Sequence, residues 1–184
     1  MPLPLGHTAI GLATYELGNN FNSAIGRIKI FIFITILANM PDIDVVVGLL
    51  LKSNGNAFHR GPTHSILFAF VIGFVASIAW RLSSRIPRMK YWACFFIILS
   101  HVLADFFFTS SPVSFLWPFE VNWISGYSGW SQVLTSVVFE GFQDARIIIG
   151  SAIFIILFRL IKSYSFKPVH KSRNHVIREH SKIK

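Results

Sequence analysis

Four long apolar segments in a chain of only 184 residues constrain this fold more than any other feature. They cover residues 28–51, 65–80, 91–108 and 147–161, and each is shorter than, or broken within, the ~20 apolar residues of an ideal membrane-spanning helix. Charged residues make up 14% of the chain, against roughly 25% in soluble proteins, so a water-facing surface would be hard to build. A soluble bundle of buried helices is the alternative, but four such segments crowd so short a chain. We therefore predict an all-α, polytopic membrane helical bundle of about four to five hydrophobic helices.

A weaker apolar stretch, residues 7–17, contains small and hydroxyl residues and predicts a further helix that packs closely against its neighbours. The first six residues lack the basic region and the long apolar core of a secretory signal, so we expect His7 to belong to the working protein. We predict one membrane-embedded domain over residues 1–164 and a basic tail over residues 165–184.

Basic residues give the chain a net charge of +9, and many of them lie in the link of residues 81–90 and in the C-terminal tail. By the positive-inside rule, both regions of this multi-pass protein should be cytoplasmic. Their placement favours orientation in the membrane and contact with membrane lipid, so no nucleic-acid partner is expected. The single cysteine, Cys94, excludes an intramolecular disulfide and a multi-thiolate zinc site, so any metal must use nitrogen and oxygen ligands.

His101 and Asp105 form the most informative pair, because residues four apart on a helix project from one face. An ionisable side chain inside an apolar membrane helix costs ~2.5 to 3.5 kcal/mol on insertion scales, and it therefore indicates a function and a partner. Together the imidazole and the carboxylate can hold one metal ion or a close pair. Taken alone, the two groups could equally be hydrogen-bonded to each other.

Asp42 and Asp44 interrupt the first apolar segment beside Pro41. A proline disfavours helix at the residue before it, which can free the backbone to turn both carboxylates inward. Anionic oxygens at this depth need a cation. The alternative is a helix-ending turn in which Asp42 serves only as a cap.

The loop of residues 58–65 precedes a charge-free helix, and we expect Thr63 or a neighbour to cap that helix while its dipole favours a bound anion. His59 and His64 add nitrogen ligands of the kind that zinc, manganese or iron accept. Arg60 offers a planar fork that binds a phosphate or carboxylate through two hydrogen bonds. Histidines in a solvated surface loop are the plainer interpretation.

The predicted topology brings these separate elements to one non-cytoplasmic end of the bundle, together with His7 at the start of the first helix. Ligand sets of this size often hold two or more metal ions. Histidines at positions 170, 175 and 180 could form a separate metal-binding tail, although a solvated or lipid-contacting segment fits their basic surroundings better.

These motifs together resemble the family of bacterial membrane-bound metal-dependent hydrolases that includes the LexA-regulated inner-membrane protein. The matching elements are His7, residues 40–44, residues 59–65, residues 101–105 and residues 116–119. The resemblance extends from about residue 3 to residue 120. It implies a multi-pass protein of the bacterial inner (cytoplasmic) membrane, and the family is similar in motif style to zinc-dependent phospholipase C.

We predict a membrane-bound, metal-dependent hydrolase that cleaves a phosphoester, such as a phospholipid or a lipid-linked phosphate, with metal-activated water. The expected metal ligands are Asp42, Asp44, His64, His101 and Asp105. Catalytic roles are expected for His59, Arg60 and His7, and substrate binding for Arg60 and Thr63. The cofactor is a divalent metal, with zinc expected first, manganese or iron as alternatives, and one ion or more.

Two other functions stay open at this point. An intramembrane metal-ion carrier would use the same histidines and aspartates as transport sites and would need a path to both faces of the membrane. A metal-stabilised regulatory membrane protein would leave no coordination position open for water.

Overall fold

The structure, a computed structural model, describes residues 3–18, 24–108, 112–120, 129–131, 134–135 and 144–165. The helices whose full bounds it gives are α1 Pro4–Gly18, α2 Ala24–Ala38, α3 Ile43–Lys52, α4 Ile66–Ile78, α5 Tyr91–Phe108 and α6 Ala145–Ser165. Two short 3-10 helices, Pro62–His64 and Ala79–Arg81, flank α4. The all-α fold class predicted from the sequence is confirmed. Apart from Ser165, the predicted basic tail lies outside the described residues.

The first apolar segment is broken into α2 and α3, as the sequence predicts, and the two helices are bent by 56° relative to each other. Pro41 lies in the break, where its ring disfavours helix at the preceding residue. The side-chain amide of Asn39 donates to the Thr35 carbonyl at 2.8 Å and to the Thr8 hydroxyl of α1 at 3.1 Å. The break is therefore hydrogen-bonded to the protein and held against α1.

Two helices, α1 and α5, hold the bundle together: α1, α2 and α4 pack against α5, and α2, α5 and α6 pack against α1. Glycines allow close approach at two of the helix contacts: a Cβ at Gly11 would lie 2.9 Å from the Ala38 Cβ of α2, and one at Gly73 would lie 2.9 Å from the Phe95 Cα of α5. The buried face of α5 runs from Ile97 through His101 and Asp105. Apolar packing of α5 thus fixes where its two polar residues lie.

Within the part of the chain that the structure describes, two helices are long and apolar enough to cross a membrane by length and composition: α5 and the Ala145–Tyr164 part of α6. The bent pair α2–α3 adds a third if it counts as one span. Many apolar side chains of α6 are exposed, including Ile149, Ile156 and Leu157, which suits a helix facing lipid rather than water. The chain is therefore a helical membrane protein.

Two polar contacts attach α6 and the residue before it to α1. Buried Asp144 accepts hydrogen bonds from the Leu3 N–H at 2.9 and 3.1 Å and from the Gly6 N–H at 2.6 Å, so a distant carboxylate caps the start of α1. Near the far end of α6, the Arg159 guanidinium donates to both carboxylate oxygens of Glu16, at 2.8 and 2.9 Å. The position of α1 is thus fixed at both of its ends.

Candidate metal centre

Histidines and aspartates from five parts of the chain meet at one end of the bundle. The contributors are His7 of α1, Asp42 of the α2–α3 break, Asp44 of α3, His59 and His64 of the loop before α4, and His101 and Asp105 of α5. All of these side chains are buried except that of Asp42, which is 22% exposed. The structure therefore brings together residues that are up to about a hundred positions apart in the sequence.

Four of the residues, Asp42, His64, His101 and Asp105, present ligand atoms that all lie within 4.8 Å of one another. His64 Nε2 is 3.5 Å from Asp42 Oδ1, 3.4 Å from Asp105 Oδ2 and 3.3 Å from His101 Nε2. His101 Nε2 is 3.4 Å from Asp42 Oδ1. Bonds of about 2.0–2.1 Å at the tetrahedral angle place neighbouring zinc ligands about 3.3–3.4 Å apart. Four of the six separations within the group therefore match the edges of a tetrahedral site with two nitrogen and two oxygen ligands, and the other two are at most 4.8 Å.

The hydrogen-bond partners of both imidazoles orient their Nε2 atoms toward this site. His101 Nδ1 lies 2.7 Å from the Ala38 carbonyl oxygen, and His64 Nδ1 lies 3.1 Å from Asp44 Oδ2. Each of these oxygens accepts a hydrogen bond, so Nδ1 carries a hydrogen in both rings and Nε2 is left for a ligand. A carbonyl or carboxylate behind the histidine is the usual arrangement around metal-binding imidazoles.

Several buried polar atoms at this site have no hydrogen-bond partner among the described residues. They are both ring nitrogens of His7, Asp42 Oδ1, His59 Nε2 and both carboxylate oxygens of Asp105. An unpaired buried polar group costs roughly 1–3 kcal/mol, and a charged one costs more. A cation held between these atoms offsets that cost, so the residues present fit a divalent metal ion.

His7 extends the four-residue group on the side of Asp105. Its ring stacks on that of His101 with 3.6 Å between centroids, and its Nε2 lies 3.5 Å from Asp105 Oδ1. Asp105 thus has one oxygen beside His64 and the other beside His7. A second ion, or a fifth ligand to the first, would be accommodated on this side.

Asp44 is engaged in a different way, because its carboxylate is surrounded by four hydrogen-bond donors. Oδ1 accepts from His59 Nδ1 at 3.1 Å, whereas Oδ2 accepts from the Arg60 N–H at 3.1 Å and the Thr63 hydroxyl at 2.5 Å and lies 3.1 Å from His64 Nδ1. Asp44, His59 and His64 also form a second group whose ligand atoms lie within 4.8 Å of one another. An ionised carboxylate offers about four lone-pair positions, and those of Asp44 already face donors.

Arg60 lies in a constrained conformation beside the candidate metal-ligand group, which is Asp42, His64, His101 and Asp105. Its φ of 62° falls in the left-handed region that favours glycine. Its N–H donates to Asp44 and its carbonyl accepts from the Ser114 N–H at 3.1 Å, so its backbone is held on both sides. The side chain is buried, with Nε 3.7 Å from Asp105 Oδ2. This places a guanidinium where an anion bound at the site can reach it.

Three carboxylates control the protonation of His64. Burial alone would lower the pKa of this imidazole, but the nearby carboxylates of Asp105, Asp42 and Asp44 raise the pKa of His64 well above its usual value. Without a cation, His64 therefore carries a proton near neutral pH, and a metal ion has to displace that proton to bind Nε2.

The predicted cap of α4 is confirmed at a neighbour of Thr63 and not at Thr63 itself. Its neighbour Ser65 is the N-cap of α4 and accepts a hydrogen bond from the Phe68 N–H at 3.0 Å. Thr63 lies in the 3-10 helix just before Ser65, and its hydroxyl donates a hydrogen bond to Asp44. Because this 3-10 turn precedes α4, the helix begins after Ser65, and the Thr63 side chain contacts Asp44 of the candidate site.

Asp144 is a residue that sequence reasoning leaves without a role, since no motif surrounds it. It caps α1 at Gly6, immediately before His7, so it fixes the position of a candidate site residue. The only sequence signal is an acidic residue beside the start of an apolar helix, which alone gives no partner. The histidines at positions 170, 175 and 180 lie outside the described residues.

Comparison with known proteins agrees with the membrane character of the chain. A family described as "YdjM inner membrane protein" matches residues 1–169. "Inner membrane protein YbcI" of Escherichia coli (strain K12) is 33% identical over 121 residues, which cover 64% of this chain and 68% of that protein. No solved structure matches the chain.

Proposed function

We propose that this chain, which belongs to the YdjM family of inner membrane proteins, is a membrane-bound, metal-dependent hydrolase that cleaves a phosphoester, such as a phospholipid or a lipid-linked phosphate. The observation that carries this proposal is the group Asp42, His64, His101 and Asp105, whose ligand atoms all lie within 4.8 Å of one another and in four of the six pairs are separated by 3.3 to 3.5 Å. A divalent metal ion, with zinc as the first candidate, supplies water activation and neutralises charge on phosphoryl oxygens when bound there.

Four side chains hold the ion in this proposal, and Asp44 supports them. His64 Nε2, His101 Nε2 and one oxygen each of Asp42 and Asp105 are the ligands. Asp44, which the sequence predicts as a further ligand, instead fixes His64 through Nδ1, because its own oxygens already face four donors. In this proposal His7, whose Nε2 lies 3.5 Å from Asp105 Oδ1, would provide a further nitrogen ligand.

His59 is our candidate for proton transfer. Its Nδ1 is hydrogen-bonded to Asp44 Oδ1, and its buried Nε2 has no hydrogen-bond partner among the described residues. A carboxylate behind one ring nitrogen, with the other nitrogen left for the reacting group, is the arrangement of a histidine that acts as general acid or base. His59 Nε2 would accept a proton from the attacking water and deliver it to the leaving alkoxide.

Arg60 is our candidate for substrate binding. Its buried guanidinium approaches Asp105 on the edge of the ligand group, and a planar guanidinium binds two phosphoryl oxygens at once. Thr63 donates its hydroxyl to Asp44, so its contribution to substrate binding would be indirect, through the position of Asp44.

The test begins with metal content and ends with hydrolysis. Wild type purified in detergent should hold metal stoichiometrically, measured by inductively coupled plasma mass spectrometry, and should cleave bis-p-nitrophenyl phosphate or a phospholipid. The His101→Ala variant should lose both metal and activity, whereas Arg60→Gln should keep its metal and show a raised KM. A control variant, alanine at the three tail histidines 170, 175 and 180, should keep both properties.

Two results would contradict the hydrolase proposal. Metal flux into liposomes, lost in His101→Ala, together with no phosphoester cleavage, would favour the carrier. Tightly held metal without cleavage of any phosphoester, and with a coordination shell that excludes water, would favour a metal-stabilised regulatory protein.

A further inference from the structure

A groove on the side of α5 away from the metal centre forms a second candidate binding site. It lies between α1, α5 and α6. The lobe lined by Arg146 and the end of α5, here called the upper lobe, has a volume of about 560 Å³. A lower lobe of about 510 Å³ continues it between α1 and α5 and shares four lining residues with the upper one: Thr14, Leu17, Ser100 and Leu103. Each lobe falls in the roughly 300–1,000 Å³ range of small-molecule pockets.

The walls of this groove are largely apolar, and two of the three hydroxyl groups among the described lining residues, those of Thr14 and Ser100, are hydrogen-bonded within their own helices. The Thr14 hydroxyl donates to the Ile10 carbonyl at 2.9 Å, and the Ser100 hydroxyl donates to the Ile97 carbonyl at 2.7 Å. Both hydroxyls are therefore satisfied within their own helices. A polar ligand would find few partners along the walls, whereas a hydrocarbon chain would lose nothing by lying there.

A basic residue lines each lobe toward opposite ends of the groove. Arg146, one residue inside α6, lines the upper lobe together with Phe107 and Phe108 at the end of α5. Lys90, one residue before α5, lines the lower lobe together with Trp92. The 18 residues of α5 span about 27 Å, close to the ~30 Å hydrocarbon core of a bilayer, so each lobe matches about one leaflet.

The Arg146 end lies at the same end of the bundle as the metal centre. Asp144, two residues before Arg146, caps α1 immediately before His7, and His7 contacts Asp105 near the end of α5. A ligand anchored at Arg146 would therefore have its charged end in the same layer of the bundle as the metal-ligand group.

We propose that the upper lobe binds one acyl chain of an anionic phospholipid, with Arg146 bound to its phosphate. The walls suit the chain, the length suits one leaflet, and Arg146 at the mouth suits a negatively charged headgroup. Binding of this kind needs neither metal nor hydrolysis, so its failure and the failure of the hydrolase proposal are separate outcomes.

The chain offers a matched pair of variants that test the groove without disturbing the core. Among the described residues, nothing lies within 4 Å of a Cβ at Gly150, which lines the upper lobe, or of a Cβ at Gly129. Gly150→Leu therefore adds a side chain that starts in the open space of the groove, and it improves helix propensity. Gly129→Leu adds the same side chain elsewhere. Arg146→Gln removes the cation, and Arg85→Gln is its control on the exposed link before α5.

The experiment is native mass spectrometry of metal-free protein released from nanodiscs of phosphatidylglycerol and phosphatidylcholine. Wild type should retain phosphatidylglycerol in preference to phosphatidylcholine. Gly150→Leu should lower the retained lipid about tenfold, and Arg146→Gln should weaken the preference for phosphatidylglycerol about tenfold, as expected for the loss of one charge-assisted contact. Gly129→Leu and Arg85→Gln should match wild type.

Equal retention in wild type and Gly150→Leu would overturn the proposal, because the lipid would then lie elsewhere. Equal retention of the two lipids by wild type would overturn the anionic assignment. Circular dichroism melting of each variant identifies misfolding, and Leu103→Trp then serves as a second groove-filling variant with the same expected loss.

Discussion

Replacing Asp44 by asparagine separates the two roles that a carboxylate can have at this site. Asparagine keeps the shape and one acceptor oxygen, but it removes the charge and turns an NH2 group toward one of the four surrounding donors. If Asp44 only orients His64 and His59, the metal stays but binds more weakly. Loss of such a supporting partner costs about 10- to 100-fold in metal affinity, which is about 1.4–2.8 kcal/mol. The same change at Asp42, a proposed ligand, should abolish stoichiometric binding.

The assay is competition titration of zinc against a chromophoric chelator, with protein in detergent and thermal melting recorded in parallel. Glu120→Gln is the matched control, since it makes the same chemical change at an exposed residue. Complete loss of metal in Asp44→Asn, equal to that in Asp42→Asn, would show that Asp44 is a ligand and would refute the reasoning. Unchanged affinity would refute the supporting role as well.

Two further outcomes test the contacts around the site. Gly6→Ala places a methyl group 2.8 Å from the Asp144 carboxylate, so it should destabilise the protein by about 1–3 kcal/mol and weaken metal binding. The denaturation midpoint and a zinc titration measure these two effects. Gly18→Ala, whose added Cβ has no described residue within 4 Å, should cause neither. Zinc binding near pH 7 should release a proton from His64, because its pKa is raised without a cation, so the apparent affinity should fall as the pH is lowered. Calorimetry in buffers of different ionisation enthalpy measures that proton, and a binding enthalpy that does not depend on the buffer would contradict it.

The sequence predicts which histidines and aspartates lie together better than it predicts what each of them does. The i, i+4 spacing of His101 and Asp105, and the break at Pro41, are local patterns that fix direction on a helix or end it, so both appear in the structure as expected. Asp44 shows the limit of this approach, because a carboxylate suits a metal or a set of donors equally well. The positions of the Arg60 N–H and the Thr63 hydroxyl, which a sequence does not reveal, are what support the second role in our proposal.

Asp144 shows a second limit, which is long-range contact. Its partners, Leu3 and Gly6, lie 141 and 138 residues away in sequence, and none of the three residues belongs to a motif. The groove near Arg146 is similar, since it exists only once α1, α5 and α6 are packed together. Hydrophobic pattern predicts which segments form helices, but side-chain shape decides which faces meet.

Zinc K-edge X-ray absorption on the protein in nanodiscs tests the central claim most directly. The account predicts one tightly bound ion or more per chain, a first shell of nitrogen and oxygen at about 2.0–2.2 Å, and the outer-shell scattering of imidazole, all lost in His101→Ala. A wild-type protein that holds no stoichiometric metal, or one whose shell is unchanged when His101 is replaced, would contradict it.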